Sequence, residues 1–346
     1  MSERRIYLDR GIGEDRGAVL LDGRAEHLII VREGEPPETR LGARVAGRVR
    51  KVEPAFASAF VDLGGGHEAL MAFKPDQRPV EGSMLEVEVR SEPRKGKLAT
   101  VRAVGHADGM PRVLSPARSL AEQLSDIARD TGITEGREAR EVADRAEAEA
   151  LATIHPLAGG GTLAIEPTRA LVAIDVDLGE RKGQDAKRIT RAANLLALSE
   201  SARLLRLKGL GGIVVIDLVG RGHDGNAMMT AARAAFGPDN PGVIIGPVGR
   251  LGTMECSIPR RSPGVTEILL DAEGRPTLLT LALRLIRLAE TAAAQDPGGR
   301  LEARCAPSVE ADVQPLIARL IARIGARLTL RVEPNWPYDR IDVSAL

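Results

Sequence analysis

Two short stretches decide the fold: ALVAIDVDLG at residues 170–179 and GGIVVIDLVG at residues 211–220. Each is an apolar run closed by an aspartate, Asp175 in the first and Asp217 in the second. Between them GQDAKRITRAANLLALSESARLLRLKG, residues 183–209, has the period and length of one long helix. A helix of that length crosses a sheet, so the two runs are expected to be parallel strands, neighbours about 4.8 Å apart. Their carboxylates then converge where the strands end, the edge at which open α/β sheets bind ligands.

Two ionised carboxylates brought together repel unless a cation compensates. Mg²⁺ suits such a pair, because it takes oxygen ligands and keeps several waters, so two carboxylates and phosphate oxygens suffice. A strand-end aspartate equally caps a turn or the following helix, and the residues alone leave both readings open. Asp177 shares the face of Asp175 by two-residue alternation. It is open to three roles: third ligand, acceptor behind the ligands, or turn residue before Gly179. The helix carries Lys187, Arg188 and Arg191 near one end and Arg203, Arg206 and Lys208 near the other, either phosphate clamps or a solvated face. His223, six residues after Asp217, is a further candidate in a polar loop, and no HxxxH or HExxH spacing points to zinc.

Working outward, residues 158–272 form an α/β layer with a strand at GGGTLAIEP ahead of the pair and a helix and strand after it. Residues 273–346 read as a small α/β region with helices at LLTLALRLIRLAETAAA and VQPLIARLIARI and strands around LTLRV and RIDV. Upstream, residues 42–106 hold five strand-like runs (ARVAGRVRKV, AFASAFVDL, HEALMAF, MLEVEVR and LATVRAV), which predict a small barrel of the OB type. Residues 1–41 contain a hairpin turning at Asp22-Gly23, and 107–157 read as a connector of two helices interrupted at Thr131-Gly132. The expected class is a multi-domain α+β chain with a barrel inserted near the N-terminus.

Three of the four phenylalanines, Phe56, Phe60 and Phe73, lie in the barrel region. Phe56 and Phe73 are read as core, and Phe60 as either core or a platform on which a base stacks. Arg48, Arg50, Lys51, Arg94, Lys95 and Lys97 supply positive charge, yet residues 43–104 hold eleven basic and eight acidic groups, a difference of only +3. Over the whole chain 48 basic residues balance 48 acidic ones, so attraction to a polyanion must come from local clusters. The basic set is 41 Arg to 7 Lys, a bias that suits phosphate recognition and that a GC-rich genome also produces. Hydrophobic residues at 43% and charged residues at 28% describe an ordinary globular chain. No apolar run approaches the roughly 20 residues of a membrane span and no signal-peptide core is present, so a cytoplasmic location without membrane partners is expected. Cys256 and Cys305 form no CxxC pair, which leaves neither a disulfide framework nor a structural zinc site.

The runs GGTLAIEPTRALVAIDVDLG (160–179) and NLLALSESARLLRLKGLGGIVVIDLVG (194–220) resemble the DNase-like catalytic domain of the ribonuclease E/G family. GRVRKVEPAFASAFVDLG (47–64) is similar to that family's RNA-binding OB domain, and the domain order agrees. The resemblance implies that residues 1–41 belong to a reduced ribonuclease H-like domain. It implies a catalytic Mg²⁺ held by Asp175 and Asp217, with metal-bound water or hydroxide cleaving single-stranded RNA hydrolytically to leave a 5′-phosphate on the downstream product. The RNA-binding residues expected on this basis are Phe60, Arg50, Lys95, Lys97, Arg188 and Arg191.

Four departures accompany the match. Asp177 stands where the family has an Asn that supports the metal-binding carboxylates, and Leu70 replaces the second aromatic of the RNA surface. The CPxC zinc link has no counterpart after residue 270, so a zinc-linked tetramer is not expected, whereas a homodimer is compatible. Residues 105–157 are too few for a 5′-monophosphate-sensing domain. The expected activity is a Mg²⁺-dependent endoribonuclease for RNA processing or turnover. A non-catalytic RNA-binding protein of the same fold is the alternative, and a DNA nuclease a third.

Overall fold

The computed structural model describes residues 3–94, 96–180, 185–220, 222–237 and 242–346. The chain opens with a meander of β1 (Arg4–Arg10), β2 (Glu14–Leu21) and β3 (Arg24–Arg32). The expected hairpin is β2–β3, and both turn residues, Asp22 and Gly23, adopt positive φ (50° and 79°), the twist that two-residue hairpins need. Strand β1, ahead of it, was not anticipated.

The barrel follows as β4 (Arg44–Glu53), β5 (Ser58–Gly64), β6 (His67–Ala72), β7 (Met84–Ser91) and β8 (Ala99–His106), with β9 (Arg112–Ser115) alongside. The order β5-β6-β8-β7-β4 closes through β4–β5, and only β6 and β8 run parallel. This is a closed, five-stranded OB-like barrel, as expected. Its interior is filled by Val45, Val49, Val61, Leu63, Val87 and Val89, which alternate with outward residues along each strand.

Residues 107–157 are less purely helical than expected. Helices α1 (Leu120–Ile127) and α2 (Arg137–Leu151) are separated by β10 (Ile133–Glu135), which pairs in parallel with β1, and β11 (Ile154–Pro156) follows. The barrel is therefore inserted within a β–α unit, sheet order β10-β1-β2-β3, that resumes after it. Ile6, Leu8 and Val19 pack against Leu120 and Leu124 of α1, while Tyr7, Ala18, Leu28 and Ile30 face a larger core that includes α2.

That larger core continues into β12 (Thr162–Pro167), β13 (Val172–Asp177), α3 (Ala186–Lys208), β14 (Gly212–Asp217), α4 (Gly225–Phe236), β15 (Ile244–Val248), β16 (Thr253–Ile258) and α5 (Val265–Leu269). The sheet order is β11-β12-β13-β14-β16-β15. Val172, Ile174 and Val176 of β13 and Val214 and Ile216 of β14 are buried beneath α3, so the alternate residues face outward on an open face. The chain ends in α6 (Leu278–Gln295), β17 (Leu301–Cys305), α7 (Glu310–Ile324), β18 (Leu328–Val332) and β19 (Ile341–Ala345), two helices against a sheet of order β18-β17-β19.

A buried ionic seam joins these parts. Arg16 is 0% exposed and donates to Asp9 at 2.6 Å, Asp144 at 2.8 Å and Glu147 at 2.9 Å. Arg140 bridges Asp9 and Glu290, and Arg287 of α6 reaches Glu14 at 2.5 Å, tying the C-terminal unit to the meander. Among the described residues no helix is long and apolar enough to cross a membrane. Both cysteines are buried free thiols; burial pushes Cys256 up to about 11, which leaves it unreactive at neutral pH.

Candidate metal centre and RNA-facing surface

Strands β13 and β14 are parallel neighbours, as the long crossover helix predicts, and their register places Asp175 directly opposite Asp217. Both side chains are exposed, and among the described residues neither has a basic partner within ion-pair distance. The donor set is thus four hard carboxylate oxygens on one sheet edge, which fits Mg²⁺. Thr253 of β16 pairs with Asp217 and Ala164 of β12 with Asp175, so the carboxylates are flanked by small, neutral neighbours.

Asp177 lies on the same face and is exposed, but Oδ1 accepts from the Gly179 amide at 2.7 Å. Of its three readings the structure displays the turn role. No group of three His, Cys, Asp or Glu side chains that could hold a metal is found among the described residues. The end of β13 is also fixed sterically. Gly161 approaches so closely that a Cβ there would lie 2.2 Å from the Asp177 carbonyl oxygen, and with φ at +82° no larger residue fits.

The helix cations divide. Arg188 and Arg191 are exposed in the first turns of α3, which begins at the strand edge where the aspartates sit, and Arg191 reaches Asp224 at 3.5 Å. Arg203, Arg206 and Lys208, at the other end, are neither phosphate clamps nor a solvated face. Arg203 binds Glu149 at 2.7 Å and Glu200 at 3.1 Å, and Arg206 holds Glu26 at 2.5 Å. Lys208 Nζ donates to the carbonyls of Ala150 and Ala152. Burial pushes the Lys208 ammonium down to about 8, against the pull of Glu149 and helped by Arg203.

On the barrel, Phe60 is half-buried and points outward, with Leu70 its β6 neighbour and Lys51 its β4 neighbour. The register shifts between Val49 and Lys51, so exposed Arg50 is the extra residue of a bulge and sits beside that pair. Phe73 packs against the barrel core as expected. Phe56 does not: it is 80% exposed on the β4–β5 turn, where Pro54 and left-handed Ala57 turn the chain before an inward position is reached.

Lys97 is exposed on the β7–β8 hairpin, and Lys95 lies outside the described residues. That hairpin docks on the segment after β16, through Glu92 N to Arg261 O at 2.7 Å and Arg94 Nη1 to Arg260 O at 3.0 Å. Because β16 is antiparallel to β14, this contact is at the sheet edge opposite the aspartates, a strand's length or about 20 Å away. A cavity of about 780 Å³ between barrel, meander and this segment contains none of the aspartate pair. Its arginines are largely paired, Arg40 with Glu35 and Glu92, Arg118 with Asp126, and Arg260 with Glu267.

Residues 117–261, a span that holds both aspartates and their sheet, match the family model described as the Ribonuclease E/G family. Over that span the chain is similar to the ribonuclease E/G family. Ribonuclease E of Escherichia coli K12 is 32% identical over 150 residues, covering 40% of this chain and 14% of the relative. The chloroplastic ribonuclease E/G-like protein of Arabidopsis thaliana is 33% identical over 121 residues, 34% of this chain and 12% of that protein. Ribonuclease G of Salmonella typhimurium is 23% identical over 201 residues, 54% of this chain and 41% of its own. The chain therefore spans from about an eighth to two-fifths of these ribonuclease E/G relatives.

One buried residue beside the aspartates was not singled out by the sequence. Asn194, on the buried side of α3, binds the backbone two residues beyond Asp217. Its only mark is a polar residue at an apolar helix position.

Proposed function

We propose that the protein is an endoribonuclease that hydrolyses phosphodiester bonds of single-stranded RNA with Mg²⁺ held by Asp175 and Asp217. The observation that carries this reading is the pairing of two carboxylates in register at the ends of adjacent parallel strands, neither with a basic partner among the described residues. The match of residues 117–261 to the ribonuclease E/G family model and the relatives named ribonuclease E and ribonuclease G support the substrate class.

A divalent cation bound there supplies charge neutralisation at the scissile phosphate and a lowered pKa for its bound water. The chain's own residues do the rest. Asp175 and Asp217 orient the ion on a rigid sheet edge, and Arg188 stands at the same edge as a phosphate contact. Phe60, flanked by Arg50 and by Lys51, which is ion-paired with Glu53, offers a stacking face with cationic side chains beside it, the combination that holds single strands without reading their sequence. Leu70 occupies the neighbouring outward position, so stacking on this surface is lighter than two rings would give. The open sheet face between the hairpin contact and the aspartates is the route by which a strand gripped by the barrel reaches the ion.

The test is incubation of purified protein with labelled single-stranded RNA in Mg²⁺ and in EDTA. Cleavage in Mg²⁺ alone supports the reading. Binding without cleavage makes the protein a non-catalytic RNA binder, and equal cleavage of a matched DNA oligomer makes it a general nuclease.

A further inference from the structure

Asn194 is fully buried, at 0% exposure, on the inner side of α3. Both ends of its amide serve one residue: Nδ2 donates to the Val219 carbonyl at 2.9 Å and Oδ1 accepts from the Val219 amide at 3.0 Å. Because Val219 presents one donor and one acceptor, the orientation of the amide is determined by its partners. The other Nδ2 hydrogen faces His223 Nδ1 at 3.5 Å.

Val219 lies just past the end of the sheet ladder. The register of β14 with β13 and β16 stops at Asp217, and beyond it Leu218 donates to Gly252 O at 3.3 Å. Strand pairing gives way here to a clamp from the helix, reinforced one turn earlier where Thr190 presses on Gly220 so that a Cβ there would be 2.9 Å from its methyl. Burying an amide is unfavourable unless every group is satisfied, and this one is satisfied only by the segment that carries Asp217. A clamp needed for folding alone would serve at any loop of the sheet; this one sits two residues from a proposed ligand.

We propose that Asn194 is a positioning residue that holds the Asp217 carboxylate in register with Asp175 for a divalent cation. This rests on the metal-centre reading above. Replacing the amide frees Val219, lets the end of β14 fray, and weakens the ion's site while the barrel's hold on RNA is untouched.

The experiment titrates Mn²⁺ into the full chain by electron paramagnetic resonance, alongside thermal unfolding and binding of single-stranded RNA in EDTA. Asn194→Ala is expected to bind Mn²⁺ about 10-fold or more weakly, in the range seen when groups behind metal ligands are removed, with RNA affinity within about twofold. Leu198→Ala, one turn on and equally buried, removes core packing without removing the hydrogen bonds to Val219 and should keep wild-type Mn²⁺ affinity despite a lower melting temperature. Should Asn194→Ala fail to fold, Asn194→Asp, which keeps the acceptor and loses both donors, is read the same way. Unchanged Mn²⁺ affinity in the Asn194 variant, or equal weakening in Leu198→Ala, overturns the inference while leaving the metal centre standing. Wild-type protein that binds no Mn²⁺, or Asp217→Asn that binds it as well as wild type, overturns the metal centre and the inference with it.

Discussion

Asp175 and Asp217 face each other across one strand spacing, and among the described residues neither has a cationic side chain to neutralise it. Asp175→Asn and Asp217→Asn are each expected to lower Mg²⁺-dependent RNA cleavage by about 100-fold or more, the upper end of what removing even an indirect metal contact costs. Both side chains are exposed, so stability should stay within about 0.5 kcal/mol of wild type or rise as like-charge repulsion is relieved. Cleavage of a labelled oligomer beside anisotropy of an uncleavable one separates the two effects. A variant that still cuts at the wild-type rate removes its residue from the site.

Phe60→Ala should weaken single-stranded RNA binding by about 1–3 kcal/mol, the value of one stacked base, and leave duplex RNA unaffected. Fluorescence anisotropy at fixed salt measures it. Unchanged affinity would mean that the ring only shields the barrel wall.

Arg16 sits among Asp9, Asp144 and Glu147 with no exposed surface. Arg16→Leu strands buried carboxylates and is expected to cost about 3–5 kcal/mol in urea unfolding. Burial alone would raise the Asp9 and Glu147 carboxyls. The guanidinium groups of Arg16 and Arg140 around Asp9, and of Arg287, Arg16 and Arg284 around Glu147, overcome it and hold both below the usual range. Folded values below unfolded ones mean that the unfolded chain takes up more protons as the medium acidifies. The stabilisation is complete above the ordinary carboxylate range and drains away as pH falls below about 4. Asp9→Asn should show a shallower acid limb.

Lys208 works in the opposite direction. With its folded value near 8 and an ordinary lysine near about 10.4, the unfolded chain carries a proton that the folded chain lacks between those limits. Its contribution to stability therefore rises as pH climbs from 8 toward 10. Urea midpoints should show that rise in wild type and lose it in Lys208→Met.

The parallel pair was legible because a strand, a crossover-length helix and a second strand leave little topological freedom, and the barrel because five runs alternate cleanly between short turns. Strand β1 was hidden by its own chemistry: RRIYLDR looks polar until Asp9 meets Arg16 and becomes an interior residue. β10 is three residues long and owes its state to β1, more than a hundred residues away. Arg203 and Arg206 looked like a charged helix face because their partners, Glu149 and Glu26, are remote in sequence. Phe56 was misjudged because composition says how many aromatics a barrel has and not on which side of a turn each falls. Asn194 escaped for the same reason, since the strand-end segment it holds is defined only once α3 has been laid across the sheet.

The strands that carry the chain into and out of the barrel lie side by side, Arg44 of β4 opposite Ser115 of β9. To the rest of the molecule the barrel is therefore a long excursion whose two ends already touch, and closing such a loop costs about 2 kcal/mol more for seventy residues than for seven. The barrel keeps its own core, separate from that of the sheet that carries the carboxylates, and meets the segment after β16 through its β7–β8 hairpin. A protein engineer can therefore splice a different head between Arg44 and Ser115 and ask what the same sheet then does.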